Sequence, residues 1–326
     1  MAAAAMARMR AAEIRELLFR TPEHELGALA RDCLARTKGG LVHLRGLVEF
    51  SSKCRRNCLY CGLRAGNAAI GRYSLSQEEI LACGRRAVAG GCDTIVLQSG
   101  EGASDAQWLA ELVRQIKDSL GVAVTLCVGE RPKWQYALWR QAGADRYLLR
   151  HESADAALYA RLHPGYSLKN RLRCLNDLRG LGYEVGTGFI VGLPWQRPES
   201  LVDDIALAQE LEVAMCGVGP FMPQAQTPLA GFAQGSVELT LRVLSTLRLA
   251  LPMANLPATT ALATADPAAG LTNGLLSGAN VIMAGFTPQG ADYRIYDSKA
   301  PLPLAAALKA IGAAGRSLAP LPDRLR

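Results

Sequence analysis

Between residues 47 and 284 the chain repeats one pattern: a short apolar run, a loop, then an amphipathic stretch of helical period. The apolar runs are Leu47–Ser51, Asp93–Gln98, Val122–Val128, Arg146–Arg150, Glu184–Val191, Cys216–Phe221, Ala254–Ala261 and Asn280–Ala284. Their length and β-branched content predict strands. Helical stretches are expected to begin near Ser76, Ser104, Arg131, Ser153, Leu168, Glu199, Ser236 and Asp266. Consecutive strands separated by helices must lie parallel, because a parallel pair needs a crossover and a helix supplies it. Eight such units predict an α/β fold, a full eight-stranded (β/α)8 TIM barrel. An open doubly wound sheet is the alternative. It usually carries fewer strands and a Gly-rich first turn, whereas this first turn carries cysteines.

Two further helices are expected ahead of the barrel, over residues 5–19 and 23–37. Thr21 is placed to cap the second and Pro22 to start it. The Ala- and Arg-rich start could be read as a transit peptide, but Glu13 and Glu16 fall at helical spacing and favour a plain helix. The expected organisation is a helical extension over 1–40, a barrel over 41–315 and a tail over 316–326. With 326 residues, half of them hydrophobic, the chain can bury a large core. The longest apolar run, near Leu239 to Leu256, is broken by Arg242, Arg248 and Pro252, so no membrane span is expected. The net charge of +7 comes without a Lys/Arg-rich run or aromatic–basic interleaving, so no nucleic-acid partner is expected. Nine scattered cysteines make no secreted disulfide framework and point to a reducing, cytoplasmic setting.

In a barrel the chemistry gathers where the strands end. The loop after the first strand reads Cys54-Arg55-Arg56-Asn57-Cys58-Leu59-Tyr60-Cys61. Three thiolates on one compact loop can hold three irons of a cubane 4Fe–4S cluster and leave the fourth iron open to a chelating small molecule. Zinc is the rival, but it usually takes four Cys or His ligands, and the nearest histidine, His43, precedes the strand. Cys83, Cys92, Cys127, Cys174 and Cys216 lie in apolar segments and read as small buried hydrophobes. Seven of the eight strand ends carry distinctive residues. Only the third, Cys127-Val128-Gly129-Glu130, says less.

This loop resembles the signature of the radical SAM superfamily, down to the aromatic Tyr60 before the third cysteine. Further stretches extend the likeness to the superfamily's biotin synthase-like group, and within it to the FeFe-hydrogenase maturases. They are Leu97-Gln98-Ser99-Gly100-Glu101, Tyr147-Leu148-Leu149-Arg150-His151-Glu152, Val191-Gly192-Leu193-Pro194, Gly217-Val218-Gly219-Pro220-Phe221 and Thr259-Thr260-Ala261-Leu262. The resemblance spans roughly residues 40–300. It implies one 4Fe–4S cluster held by Cys54, Cys58 and Cys61, and reductive cleavage of S-adenosylmethionine to methionine and a 5′-deoxyadenosyl radical.

S-adenosylmethionine would then be bound by Tyr60, Ser99, Gly100, Arg150, Glu152, Arg171, Gly188, Ile190 and Gly192. In that reading Gly100 lets the backbone approach the amine and carboxylate, Arg150 or Arg171 pairs with the carboxylate, and Glu152 accepts from the ribose or amine. Gly188, Ile190 and Gly192 would form an open apolar strand edge for adenine. Thr259, Thr260, Tyr293 and Tyr296 match the lining of the substrate cavity, the tyrosines facing one way if 292–296 forms a helical turn. The implied substrate is an iron–CO–cyanide precursor of the hydrogenase cluster, supplied by a partner maturase, with a flavodoxin or ferredoxin as reductant. The chain departs from the pattern at Trp195, where relatives often have glycine, in the loop over 287–293, and in lacking cysteines for a second cluster. Two alternatives stay open: another small-molecule radical SAM enzyme of the biotin synthase/methylornithine synthase group, or a non-catalytic iron–sulfur carrier.

Overall fold

The computed structural model describes residues 8–297 and 299–321. Two helices lead, α1 (Ala11–Phe19) and α2 (Glu23–Lys38), followed by β1 (Leu41–Ser51). Then come α3 (Gln77–Ala89), β2 (Thr94–Ser99), α4 (Ala106–Leu120), β3 (Ala123–Cys127), α5 (Lys133–Gln141) and β4 (Arg146–Leu148). The middle of the chain adds α6 (Ala156–Leu162), α7 (Leu168–Gly180), β5 (Glu184–Val191), α8 (Pro198–Glu210), β6 (Met215–Pro220) and α9 (Val237–Ala250). The last part holds β7 (Pro257–Ala258), α10 (Thr260–Ala265), α11 (Gly270–Leu276), β8 (Val281–Gly285), α12 (Leu304–Ala313) and β9 (Ser317–Leu318).

All barrel strands pair in parallel, in the order β6-β5-β4-β3-β2-β1-β8-β7. Because neighbours in the sheet are neighbours in the chain all the way round, with β8 beside β1, the sheet curls into a nearly closed barrel rather than an open doubly wound sheet. A single bridge, Met215 to Asn255, brings the two free sides together. The helices ring the sheet, each buried on one face. Ser76, Asp105, Asp155, Ser167 and Ser236 each accept a hydrogen bond from the first turn of the helix they precede. Side chains of α3, α4 and α9, such as Ile80, Leu109, Val113 and Leu247, meet Ile95, Leu97, Val124 and Leu126 of the strands in one contiguous core.

The differences from expectation have local causes. The seventh strand shrinks from eight residues to Pro257–Ala258, because Pro257 has no N–H for a ladder and Thr259 leaves the sheet to cap α10. The helix expected from Asp266 is replaced by two short ones, α10 and α11. The second helix is not capped by Thr21. Pro22 takes the cap position without a side-chain bond, and the Thr21 hydroxyl donates to the Glu16 carbonyl. Of the helix expected over 5–19, residues 5–7 lie outside the described residues. The described part begins at Ala11 and buries Ile14 and Leu18 in the barrel's own core. Past residue 315, Ser317–Leu318 adds a short strand beside Leu41–Val42. Residues 322–326 of the expected tail lie outside the described residues. Among the described residues no helix is long and apolar enough to cross a membrane.

Candidate functional site

A cavity of about 350 Å³ opens where the strands end, as the parallel topology requires. Its first wall is the cysteine loop. Residues 52–58 have no regular structure and are held from outside. Arg55 N–H donates to the Glu101 carbonyl at 2.9 Å, and Leu59 N–H to Leu162 at 2.9 Å. Arg72 clamps the two ends of the segment, donating to the carbonyls of Ser52 at 2.6 Å and Leu63 at 2.8 Å. Cys54, Cys58 and Cys61 all line the cavity. Burial, with the neighbouring Cys54 next, pushes the Cys58 thiol up to about 12, and burial and Cys58 push Cys61 up as well. Thiols this crowded ionise more readily beside an electropositive partner. The Glu101 N–H points at Cys54 Sγ, 3.3 Å away, as a donor to a thiolate would.

No three Cys, His, Asp or Glu side chains among the described residues converge on a single ion position. The three thiols that face this cavity are the donor type a 4Fe–4S cluster would use.

Joined to this loop through Glu130 lie the charged residues. Arg150 Nε donates to Glu152 at 3.1 Å and its Nη2 to the Phe189 carbonyl at 2.6 Å. Glu152 sits at φ +63°, a left-handed conformation that costs a non-glycine residue energy and turns up where a site holds it. Its backbone bridges to β5, taking Gly188 O and serving Ile190 N–H. Arg171, buried on α7, donates to Glu130 at 2.7 Å and to the Arg150 carbonyl at 2.6 Å. The Tyr60 hydroxyl pairs with His163 Nε2 at 2.9 Å, and His163 Nδ1 donates to the Tyr159 carbonyl at 2.8 Å. Burial, then Arg171, drives this imidazole down to about 3. It is therefore neutral, with its proton on Nδ1 and Nε2 accepting from Tyr60.

The wall formed after the seventh and eighth strands holds Thr259, Thr260, Tyr293 and Tyr296. The Thr259 hydroxyl is already occupied, donating to Val218 O at 3.0 Å while accepting from Leu262 N–H. No helical turn forms over 292–296. Both tyrosines nonetheless reach the cavity, because the segment is pinned on either side. Gly62 N–H donates to Ile295 O at 2.9 Å, and the Asp297 carboxylate accepts from Gln224 and Ala225.

Of the expected S-adenosylmethionine residues, Tyr60, Ser99, Gly100, Arg150, Glu152, Arg171 and Ile190 line the cavity. Gly188 and Gly192 do not, and β5 is no open edge, since it pairs with β4 and β6. A Cβ on Gly188 would meet Gly217 O at 2.0 Å, and one on Gly192 would meet Gly235 Cα at 2.7 Å, so these glycines serve close backbone packing. Gly100 faces the cavity but is glycine for another reason. A Cβ there would meet Lys53 O at 2.1 Å, so the missing side chain is what lets the cysteine loop dock.

Sequence reasoning missed Arg56, Glu130, His163, and the buried Lys299–Glu49 pair that also lines the cavity. Arg56 lies inside the cysteine motif, which was a usable signal. Glu130 ends the third strand, the one that read as least informative. Cys127 lines the cavity too, rather than packing as a plain hydrophobe.

With this geometry in place, comparison with known proteins is informative. Residues 48–208 match the Radical SAM superfamily. The FeFe hydrogenase maturase subunit HydE of Thermotoga maritima is 46% identical over 277 residues, covering 83% of this chain and 78% of that protein. The 3-methylornithine synthase of Methanosarcina acetivorans is 29% identical over 276 residues, covering 83% and 77%. The crystal structure of methylornithine synthase PylB superposes with a TM-score of 0.85 at 25% identity, covering 96% of this chain and 95% of that one.

Proposed function

The chain belongs to the radical SAM superfamily and is a radical SAM enzyme, and from that premise we propose that it acts in maturation of FeFe-hydrogenase. Its substrate there is an iron–CO–cyanide precursor delivered by a partner maturase. The observation that carries the reading is the 46% identity to HydE across more than three quarters of both chains. The cavity is compatible with it: hydroxyls of Thr260 and Tyr296 and the Lys299 ammonium are the donors an anionic, cyanide-bearing species needs.

In this proposal Cys54, Cys58 and Cys61 hold the cluster. Arg171 and Arg150 orient the carboxylate of S-adenosylmethionine and Glu152 its amine or ribose, while Tyr60 and Ile190 supply apolar surface for adenine. Held by these residues, a reduced 4Fe–4S cluster would supply the electron for reductive cleavage of S-adenosylmethionine. The protein's part is to place that cofactor against the substrate and keep water out, which the apolar walls from Leu47, Met215, Pro257 and Met283 favour. A cytoplasmic flavodoxin or ferredoxin as reductant, and the division at residues 40 and 315, belong to the same proposal.

A second reading, a small-molecule enzyme of the methylornithine synthase kind, is favoured by the full-length superposition on PylB. An anaerobic assay separates the possibilities. The reduced protein should form 5′-deoxyadenosine slowly alone and faster with the partner maturase's iron–CO–cyanide–cysteine product. Stimulation by an amino acid instead would support the second reading. Stimulation by neither would contradict both readings.

A further inference from the structure

Behind the cavity wall runs a chain of buried charges. Arg56 sits between Cys54 and Cys58, and its guanidinium lies 3.3 Å from the centroid of the Tyr166 ring. Its Nε donates to Glu101 at 2.5 Å, and its Nη2 lies 2.8 Å from Glu130 Oε2. Glu130 takes more. Its Oε1 accepts from Arg171 Nε at 2.7 Å, its Oε2 from Asn170 Nδ2 at 2.5 Å, and its own N–H donates to Glu101 Oε2 at 2.9 Å. Arg171 passes on to the Arg150 carbonyl, and Arg150 to Glu152.

Glu130 is thus the carboxylate shared by the cysteine loop and by the arginine that faces the cavity. It does not line the cavity itself. Burial pushes its carboxyl up, but Arg171 and Arg56 outweigh that and hold it below the ordinary carboxylate range. It therefore stands as an anion between two buried cations.

We propose that Glu130 is a positioning residue: by bridging Arg56 and Arg171 it fixes the cysteine loop relative to the Arg171 guanidinium, and so sets where S-adenosylmethionine lies against the cluster. This rests on the proposed roles of Cys54, Cys58, Cys61 and Arg171. The geometry explains why a glutamate is needed. The cysteine loop has no strand or helix of its own, and its backbone bonds run to Glu101 and to Leu162 of α6, so its spacing from α7 draws on side chains that reach both. Glu101 does not substitute, because it holds Arg56 and the Glu130 backbone but not Arg171.

The test uses holoenzyme reconstituted without oxygen. Iron content, the change that S-adenosylmethionine makes in the EPR spectrum of the reduced cluster, and KM and kcat for 5′-deoxyadenosine formation are measured together. Glu130→Gln should keep its iron but raise KM for S-adenosylmethionine roughly 10–100-fold, the usual effect of removing an outer partner of a metal site. The cofactor-induced EPR change should shrink in parallel. Glu130→Asp keeps the charge but is one carbon too short to reach both arginines, so it should fall between Gln and wild type. If Glu130→Gln does not fold, Arg56→Lys gives the same reading. It keeps the charge and loses the fork that spans Glu101 and Glu130, and KM should rise with iron retained.

Unchanged KM and EPR response in an iron-replete variant would overturn the proposal, as would a Glu130→Asp protein equal to wild type. Loss of iron in both Glu130→Gln and Arg56→Lys, with no shift in KM for the protein that retains it, would also overturn it and leave a purely structural network. If wild-type holoenzyme shows no EPR response to S-adenosylmethionine, the failure lies in the proposed function rather than in Glu130.

Discussion

The two sides of the cavity are built differently. On the cysteine side almost every polar group is tied to several others. Glu130 serves Arg171, Asn170 and Arg56, Glu101 serves Arg56 and the Glu130 backbone, and Arg171 reaches both Glu130 and Arg150. Beyond the eighth strand the tyrosine hydroxyls make only long bonds. Tyr293 accepts one long bond from Gln98 at 3.4 Å, and Tyr296 shares one of 3.5 Å with Thr264. A cross-linked wall resists change and transmits it, while a loosely tied wall can be altered one residue at a time. The first arrangement suits a cofactor that must always sit in the same place, and the second suits a substrate pocket.

Substitutions on the cysteine side should therefore reach furthest. Cys54→Ala, Cys58→Ala or Cys61→Ala should leave no cluster signal that responds to S-adenosylmethionine, whereas Cys83→Ala and Cys216→Ala should keep it. A responsive cluster in Cys54→Ala protein would break the contrast at its root. Next in size is Gly100→Ala, which sets a methyl 2.1 Å from Lys53 O. Backbone cannot swing aside like a side chain, so the cost should sit near the upper end of about 1–3 kcal/mol, with lower iron occupancy. Denaturant unfolding alongside iron analysis checks both. Arg171→Ala or Glu152→Gln should assemble the cluster yet weaken S-adenosylmethionine binding by about 1.5–3 kcal/mol, one to two decades in Kd. Titration calorimetry under anaerobic conditions measures it, and unchanged Kd in both returns these residues to a structural pairing.

The smallest expected effect is a pH slope. His163 folds neutral because burial and then Arg171 take it down to about 3, while the unfolded chain's imidazole protonates below its ordinary 6.5. The unfolded state then binds the extra proton, so stability falls as pH drops from 6.5 toward 3, by up to about 1.4 kcal/mol per pH unit. His163→Gln should flatten that slope in urea unfolding between pH 6.5 and 5. An unaltered slope would place the titration elsewhere.

How much could be read in advance follows from the same contrast. The cysteine loop, Ser99-Gly100 and Arg150–Glu152 are short contiguous stretches whose chemistry is local, and the βα repeat told where they would meet. Glu130 was hidden because its partner Arg171 is 41 positions away and a lone glutamate at a strand end has no local signature. The Glu49–Lys299 pair joins residues 250 apart, and Lys299 itself lies in no helix or strand. Gly188 and Gly192 are ambiguous in sequence for a physical reason. An absent side chain looks the same in sequence whether it makes room for a ligand or for a neighbouring strand, and here the neighbours fill it. The seventh strand was overdrawn because a β-like composition does not reveal that Thr259 caps a helix.

The central claim is that one cavity has a fixed cofactor side and a separable substrate side. It is tested most directly by 5′-deoxyadenosine formation in a Thr260→Val/Tyr296→Phe protein, with and without the iron–CO–cyanide–cysteine species. The slow cleavage seen without substrate should match wild type, and the stimulation by substrate should be lost. Full stimulation in this variant, or loss of the unstimulated reaction along with it, would contradict the division.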